Sequence, residues 1–474
     1  MRICVLAILL LLIPSLALAA DAPTSPAPLF DDNGTHLTVA QFVEKYIPAD
    51  MPEGLGRAEV QSALEDAGAN WVELAGIISF LSPAAPADLS NFEGMFEETG
   101  VELPSQEEAN AIRDEEFQPL LWLITKAPHL DRLELTGELL SDSLMVAGEA
   151  ANDRGYEKDS ELWRRYVLNY RFDDEPISLW PYEFWTSIER QDINVISKQV
   201  ATDFTVIERG YFGNLSDPVS LLQSRAGTKR ELSILIAAAL RSQGYATRFV
   251  RENRSGESWV EVYSGDPQQY DASAWTPVYP TAPEKTGDVS YATELCGGRI
   301  TVITAGDAFS REQVTSRYAQ LVRVTPAFKR DGTVDEEFTG YAISAWNDKT
   351  GGYVPLDDLE YPSSDKDYPL DEAEQASGPS TFLLAPGDYR LEWGVRYPGG
   401  LSHVGTHAFT LVAGGDATII ANIDPPADLP QTALVERGLG ELSDSPRLMQ
   451  RGRYVFLVGD GGEPSLRAAD LLKP

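Results

Sequence analysis

Residues 227–250 read GTKRELSILIAAALRSQGYATRFV, and this stretch decides the fold. From Leu232 onward, apolar residues recur at spacings of three, four, seven and eight, as on the buried face of a helix. The pattern predicts a buried helix that begins near Thr228 and ends at Gly244. The residues directly after it, 246–250, are predicted to form a strand.

Two more strand patterns follow the helix, SWVEVY at 258–263 and the shorter WTPVYPT at 275–281. Upstream, residues 37–155 show helical spacing of apolar side chains. Downstream, residues 325–430 show period-two segments with Gly-rich turns, which predict an immunoglobulin-like β-sandwich. The predicted fold class is therefore α+β. The predicted division is a signal peptide (1–20), a tether (21–36), a helical N-terminal region (37–155), a central domain (156–324), the β-sandwich (325–430) and a strand–helix segment (431–474).

The composition limits the kinds of partner. The 474 residues include 73 acidic and 38 basic side chains, which gives a formal charge of −35. A surface this negative repels nucleic acid and anionic lipid, so neither is expected as a main partner. The apolar fraction of 43% supports packed cores and excludes a wholly disordered acidic chain.

The first twenty residues predict export. Arg2 precedes an almost continuous apolar run from Ile3 to Leu12, and Ala17-Leu18-Ala19 supplies small residues at a cleavage site. A short membrane anchor is the alternative, but the run is shorter than the ~20 residues needed to span a bilayer. We therefore predict a periplasmic or extracellular protein with no membrane span after cleavage.

No cofactor or metal is predicted. Cys4 would leave with the signal peptide, so Cys296 would be the one thiol of the exported chain and no internal disulfide could form. His403 and His407 share a strand face but lie about 13 Å apart along it, which favours chance over a metal pair. The acidic stretch 357–374 could hold Ca²⁺, but it lacks the regular spacing of a calcium loop and is better interpreted as a solvated insertion.

The order of helix and strands resembles the transglutaminase-like (papain-like) core. The resemblance implies that residues 156–324 form a transglutaminase-like domain, in a family where a Cys opens the buried helix, a His opens the next strand and an Asp follows. Segments on either side also resemble bacterial exported members of this superfamily, and the similarity spans roughly residues 65–320. The matching segments are 227–248, 257–262 and 275–281, with 121–131 and 166–171 upstream and 307–318 downstream.

The family's catalytic residues do not carry over. The nucleophile position falls on Lys229, the His position on Glu257 and the Asp position on Tyr279. Asp271 lies close enough in sequence to be an alternative third member, and Cys296 lies outside the helix motif. Because thiolate chemistry needs both a thiol at the helix start and an imidazole partner, no catalytic residue is predicted.

The substituted positions suggest three interpretations. A Lys229–Glu257 ion pair could fill the old thiolate–imidazolium site with its signs reversed, and we favour this interpretation. Both side chains could instead point to solvent. A third possibility is a lysine-based activity, in which desolvation activates the Lys229 amine.

Three functions follow from these interpretations. The first is a pseudoenzyme of the transglutaminase-like superfamily that binds a peptide or a cell-envelope polymer. The second is a transglutaminase-like or peptidase-like enzyme that uses non-standard residues around Lys229. The third is a carbohydrate-binding or purely structural sandwich protein, which exposure of Trp346 and Trp393 on one sandwich face would favour.

Overall fold

A computed structural model describes residues 29, 36–84, 105–188, 191–208, 215–335, 338, 340–347, 351–356, 381–396 and 402–424. The predicted signal peptide, the acidic stretch 357–374 and the C-terminal segment 431–474 lie outside these residues, as does most of the tether.

The described residues form two compact units. The first is made of the described residues within Met1–Glu252, Gly256–Arg299 and Ile303–Tyr318, and it contains both the helical region and the strands of the predicted central domain. The second is made of the described residues within Asn253–Ser255, Ile300–Val302 and Ala319–Pro474. Helices dominate the first unit and strands the second, so the α+β class is confirmed. The predicted domain boundaries stay predictions.

The helices of the described residues all lie in the first unit. They are α1 Val39–Tyr46, α2 Arg57–Asp66, α3 Trp71–Leu81, α4 Gln106–Lys126, α5 His129–Arg132, α6 Gly137–Arg154, α7 Glu161–Trp163, α8 Trp180–Ser187, α9 Ile193–Asp203, α10 Pro218–Ser224, α11 Lys229–Ser242 and α12 Tyr291–Leu295. Short 3₁₀ turns occur at Gly68–Asn70, Pro283–Lys285 and Thr315–Arg317, and a π turn at Arg164–Leu168.

The strands run through both units. Those of the first unit are β1 Thr205–Val206, β2 Ala226–Gly227, β3 Thr247–Glu252, β4 Ser258–Tyr263, β5 Trp275–Val278, β6 Ile303–Gly306 and β7 Arg311–Gln313. Those of the second unit are β8 Val322–Arg330, β9 Thr333–Val334, β10 Tyr341–Asn347, β11 Gly352–Pro355, β12 Phe382–Leu384, β13 Gly387–Arg396, β14 Ser402–Leu411 and β15 Ala417–Asn422.

Helix α11 is the buried helix that the sequence predicts. Its side chains from Glu231 to Ser242 are all buried. It ends because Gly244 takes a positive φ of 80°, a conformation that glycine adopts without a steric penalty. A Cβ at this position would also lie 2.9 Å from the Cβ of Ala150 on α6, so the close packing of the two segments requires glycine.

A sheet with the strand order β5-β4-β3-β6-β7 packs against α11, and all its neighbouring strands are antiparallel. Side chains on one face of this sheet share a core with the helix, among them Phe249, Val260 and Val278. The helix and strands therefore meet in the arrangement that the sequence predicts.

The N-terminal helices have a core of their own, which extends to Tyr263 and Trp275 of the sheet. The aromatic-rich segment 156–210 contributes to both cores. Its aromatic rings belong to these cores, because they are buried or packed against buried residues. The rings are those of Trp163, Tyr166, Tyr170, Trp180, Tyr182, Phe184 and Trp185.

The second unit contains two sheets that share one core. One sheet has the order β11-β10-β13-β14, and the other has the order β12-β8-β15, with β15 parallel to β8. Trp346 is 39% exposed whereas Trp393 is buried. The two tryptophans are therefore not exposed together on one face. Joint exposure would have favoured a carbohydrate-binding face formed by this pair, and it is not observed.

Candidate functional site

The start of α11 is fixed by a reciprocal cap. The Thr228 hydroxyl accepts a hydrogen bond from the Glu231 amide at 3.3 Å, and the Glu231 carboxylate accepts one from the Thr228 amide at 2.7 Å. The other oxygen of Glu231 accepts from the Ser216 amide at 2.8 Å. Because two residues other than Lys229 cap the helix, the Lys229 side chain is left available for another role.

Lys229 and Glu257 lie together, as the ion-pair hypothesis predicts. The Lys229 Nζ is 3.1 Å from Glu257 Oε2, and the side chains are 48% and 14% exposed. Ser258, the first residue of β4, has its hydroxyl 3.3 Å from that of Ser233, and the Ser233 hydroxyl donates to the Lys229 carbonyl at 3.1 Å. The first turn of α11 and the start of β4 are therefore held side by side.

Tyr279, which the sequence resemblance aligned with the family's Asp, is a packing residue. It is fully buried, and its ring lies 4.9 Å from the Tyr291 ring and 6.0 Å from the Trp259 ring, measured between centroids. Its hydroxyl donates to the Asp288 carbonyl at 3.0 Å. Burial raises the pKa of this phenol, so the group is neutral and offers no carboxylate chemistry.

The two other residues considered for the triad have structural surroundings. Asp271 is exposed, and its carboxylate accepts hydrogen bonds from the Ser273 amide at 2.8 Å and the Ser273 hydroxyl at 2.7 Å. The hydrogen bond from the Ser273 amide, and after it the bond from the Ser273 hydroxyl, lowers the pKa of Asp271. Both bonds hold the carboxylate within its own turn. Cys296 is buried at the end of α12.

An acidic loop beside Lys229 was not predicted from the sequence. Arg230, the second residue of α11, donates from Nε to Asp173 at 2.7 Å and from Nη2 to Asp174 at 2.5 Å. Arg311 of β7 also pairs with Asp173. Glu175 accepts from two amides of the same loop at 2.8 Å, and burial raises its pKa to about 7.

The opposite face of the sheet holds a second group of charges that sequence reasoning missed. Glu261 of β4 is fully buried and accepts from Arg248 Nε at 2.7 Å, Arg317 Nε at 3.0 Å and the Tyr318 hydroxyl at 2.6 Å. Arg248 is 1% exposed and lies over the Trp275 ring at 4.2 Å from its centroid. The one signal in the sequence was the alternation of β4, which placed Glu261 on the face away from α11.

The comparisons agree with this geometry. A family model described as the transglutaminase-like superfamily matches residues 182–280, which include α11 and strands β3 to β5. The chain therefore carries a transglutaminase-like superfamily domain at these residues, inside the predicted range of 156–324. No curated protein matches the chain.

None of the helices in the described ranges has the length and apolar character required to cross a membrane. Those same ranges hold no group of three or more His, Cys, Asp or Glu side chains arranged to bind a metal ion.

Proposed function

We propose that the protein is exported and that its transglutaminase-like domain binds a peptide or a cell-envelope polymer without acting as an enzyme. The observation that carries this proposal is the 3.1 Å contact between Lys229 and Glu257. The sequence resemblance aligns these two residues with the family's nucleophile and imidazole.

The chemistry of the pair argues for binding. An acyl-transfer site of this family needs a thiolate to attack and an imidazole to carry the proton, and an ammonium–carboxylate pair supplies neither group. A lysine nucleophile needs an amine free to attack, whereas the Lys229 amine lies in an ion pair with a carboxylate 3.1 Å away. The buried phenol of Tyr279 at the third position offers no replacement for the Asp.

The same pair remains accessible to a ligand. Because the Lys229 side chain is 48% exposed, its ammonium can still meet a molecule from solvent. An exposed ammonium presents hydrogen-bond donors, which the carbonyl groups of a peptide backbone can accept. The site is therefore suited to recognition of an amide-rich chain.

Turnover assays would test the absence of catalysis. Purified protein is incubated with a glutamine-containing peptide and a primary amine, and separately with the peptide alone, while ammonia and peptide fragments are measured. We expect neither product above the level of heat-denatured protein. Turnover that Lys229→Met abolishes and Lys198→Met retains would establish the lysine-based enzyme instead, since Lys198 is an exposed residue of α9.

Binding is tested with the same peptide by calorimetry and with isolated cell walls by co-sedimentation. We expect Lys229→Met to weaken the interaction and Lys198→Met to leave it unchanged. Equal binding by both variants would remove the Lys229–Glu257 pair from the proposed site.

Export is tested by fractionation of cells that express the full chain or a form without residues 1–20. The proposal expects the full chain outside the cytoplasm, shortened by about twenty residues, and the truncated form inside. A full-length product retained in the cytoplasm would contradict it.

A further inference from the structure

Arg251 is a partly buried cation at the same end of the sheet as Lys229. It lies opposite Ser258 in the antiparallel pairing of β3 with β4. The Ser258 hydroxyl is in turn 3.3 Å from that of Ser233, one turn into α11. Arg251 also shares a strand face with Phe249, which packs in the core formed with α11. Its side chain is therefore directed toward the helix side of the sheet.

The other cations at this end of the domain have carboxylate partners. Lys229 pairs with Glu257, and Arg230 and Arg311 both pair with Asp173. Within the described part of the chain, Arg251 makes no hydrogen bond and no ion pair from its side chain.

The surroundings of Arg251 are unfavourable for an unpaired charge. Burial lowers the pKa of Arg251, and the nearby positive charge of Arg230 lowers it further, whereas Asp174 opposes the shift. Lys229, Arg230 and Arg311 are matched by the carboxylates of Asp173, Asp174 and Glu257. Arg251 is left without a carboxylate within ion-pair distance among the described residues. A bound anion would supply that partner.

We propose that Arg251, together with Arg230 and Lys229, binds a carboxylate group of a peptide ligand beside the first turn of α11. The inference rests on the proposed function, because it names the chemical group that the same binding site selects. A guanidinium presents parallel N–H donors whose spacing matches the two oxygens of a carboxylate. The anion is expected to be a single carboxylate and not a polyanion, because a chain with a charge of −35 repels a polymer of many negative charges at longer range.

Isothermal titration of the full chain with three peptides tests the proposal. The probes are acetyl-Ala-Gln-Ala with a free carboxylate, the same peptide with a C-terminal amide, and acetyl-Ala-Glu-Ala amide. We expect both carboxylate peptides to bind roughly tenfold more tightly than the uncharged amide, as one charge-assisted pair supports. Arg251→Gln should abolish this preference, and Lys198→Gln, which removes one positive charge on α9, should retain it.

Thermal unfolding separates a ligand-binding role from a structural one. If Arg251 serves a ligand, Arg251→Gln should leave the melting temperature unchanged or raise it, since an unpaired and partly buried charge is removed. A variant that loses its fold would instead show that Arg251 is structural and would overturn the proposal. Arg251→Lys keeps the positive charge but loses the planar guanidinium with its parallel N–H donors. We therefore expect this variant to retain part of the preference for the carboxylate peptides.

Each remaining outcome decides between the two proposals. Equal binding of amide and carboxylate peptides, or no binding by the wild-type chain at millimolar peptide, overturns the carboxylate site. If cell-wall binding persists in that case, the proposed function stands without it. If acetate competes less well than inorganic phosphate at equal ionic strength, a carboxylate is the wrong anion. Turnover in the glutamine assay with the carboxylate preference intact would reject the non-catalytic function and keep the site.

Discussion

Replacement of Glu261 by Gln tests the buried charges behind the site. The substitution keeps the size of the side chain but removes the charge that pairs with Arg248 and Arg317. Arg248 is 1% exposed, so its guanidinium would stay buried with a neutral amide in place of Glu261 and with the half-exposed Glu312 as its remaining carboxylate partner. Removing one partner of a buried pair costs about 3–5 kcal/mol, because the remaining charge has lost its hydration without compensation.

This loss is large relative to the stability of a domain. Unfolding free energies are about 5–15 kcal/mol, so about a fifth or more of the total is at stake. With a urea m-value of about 3 kcal/mol/M, the midpoint of unfolding should fall by about 1–1.7 M. Tryptophan fluorescence reports on this region directly, since Trp259 Nε1 donates to the Tyr318 hydroxyl at 2.9 Å.

Glu312 supplies a matched control on the same arginine. Its carboxylate lies 2.5 Å from Arg248 Nη1, but its side chain is 47% exposed. Water can therefore replace much of this contact, and Glu312→Gln should cost less than about 1 kcal/mol. If the two substitutions lowered the midpoint equally, burial would not govern the strength of these pairs and the reasoning would be refuted.

Three other substitutions test separate parts of the structure. Lys229→Met should lower the unfolding free energy by about 0.5–1 kcal/mol in a urea titration, since its ion pair is partly exposed, and an unchanged value would contradict a stabilising role for the pair. Burial raises the pKa of Asp142 to about 7. The folded carboxyl therefore keeps its proton between about pH 4 and 7 while the unfolded one loses it, so the wild type loses stability across this window. Asp142→Asn should consequently stabilise more at pH 8 than at pH 5, by roughly 2–3 kcal/mol, and equal gains at both values would exclude this explanation. Gly405→Ala should destabilise the second unit by about 1–3 kcal/mol in calorimetry, because the new Cβ would come within 2.2 Å of buried Trp393. Gly394→Ala has open space around it and is the control.

Local patterns predicted the helix and strands around the site well. Apolar spacing placed the helix between Thr228 and Gly244, and the structure has it from Lys229 to Ser242. The predicted strand 258–263 matches β4 residue for residue. Spacing along the chain could not reveal that β15 runs parallel to β8, because that pairing joins segments about ninety residues apart, such as Ala417 and Val324.

The candidate site was predictable only in part for the same reason. Counting back from Gly244 aligned Lys229 with the family's nucleophile position, and the order of the strands aligned Glu257 with the next. The Asp173 contacts were missed because they join residues far apart in sequence, 57 positions for Arg230 and 138 for Arg311. The sequence around a charged loop residue has no periodicity that would indicate which distant residue it pairs with.

The contacts around positions 229, 257 and 279 indicate how well each position should tolerate substitution. The helix start depends on Thr228 and Glu231, and the far face of the sheet depends on Glu261. Lys229 takes no part in either arrangement, and its ion pair is of the partly exposed kind that contributes about 1 kcal/mol or less. Side chains at positions 229 and 257 can therefore be exchanged at little cost in stability. Position 279 differs, because Tyr279 is part of the buried aromatic packing and an Asp there would need a partner for its charge. Lys229→Cys and Glu257→His should thus be tolerated, whereas Tyr279→Asp should destabilise the domain.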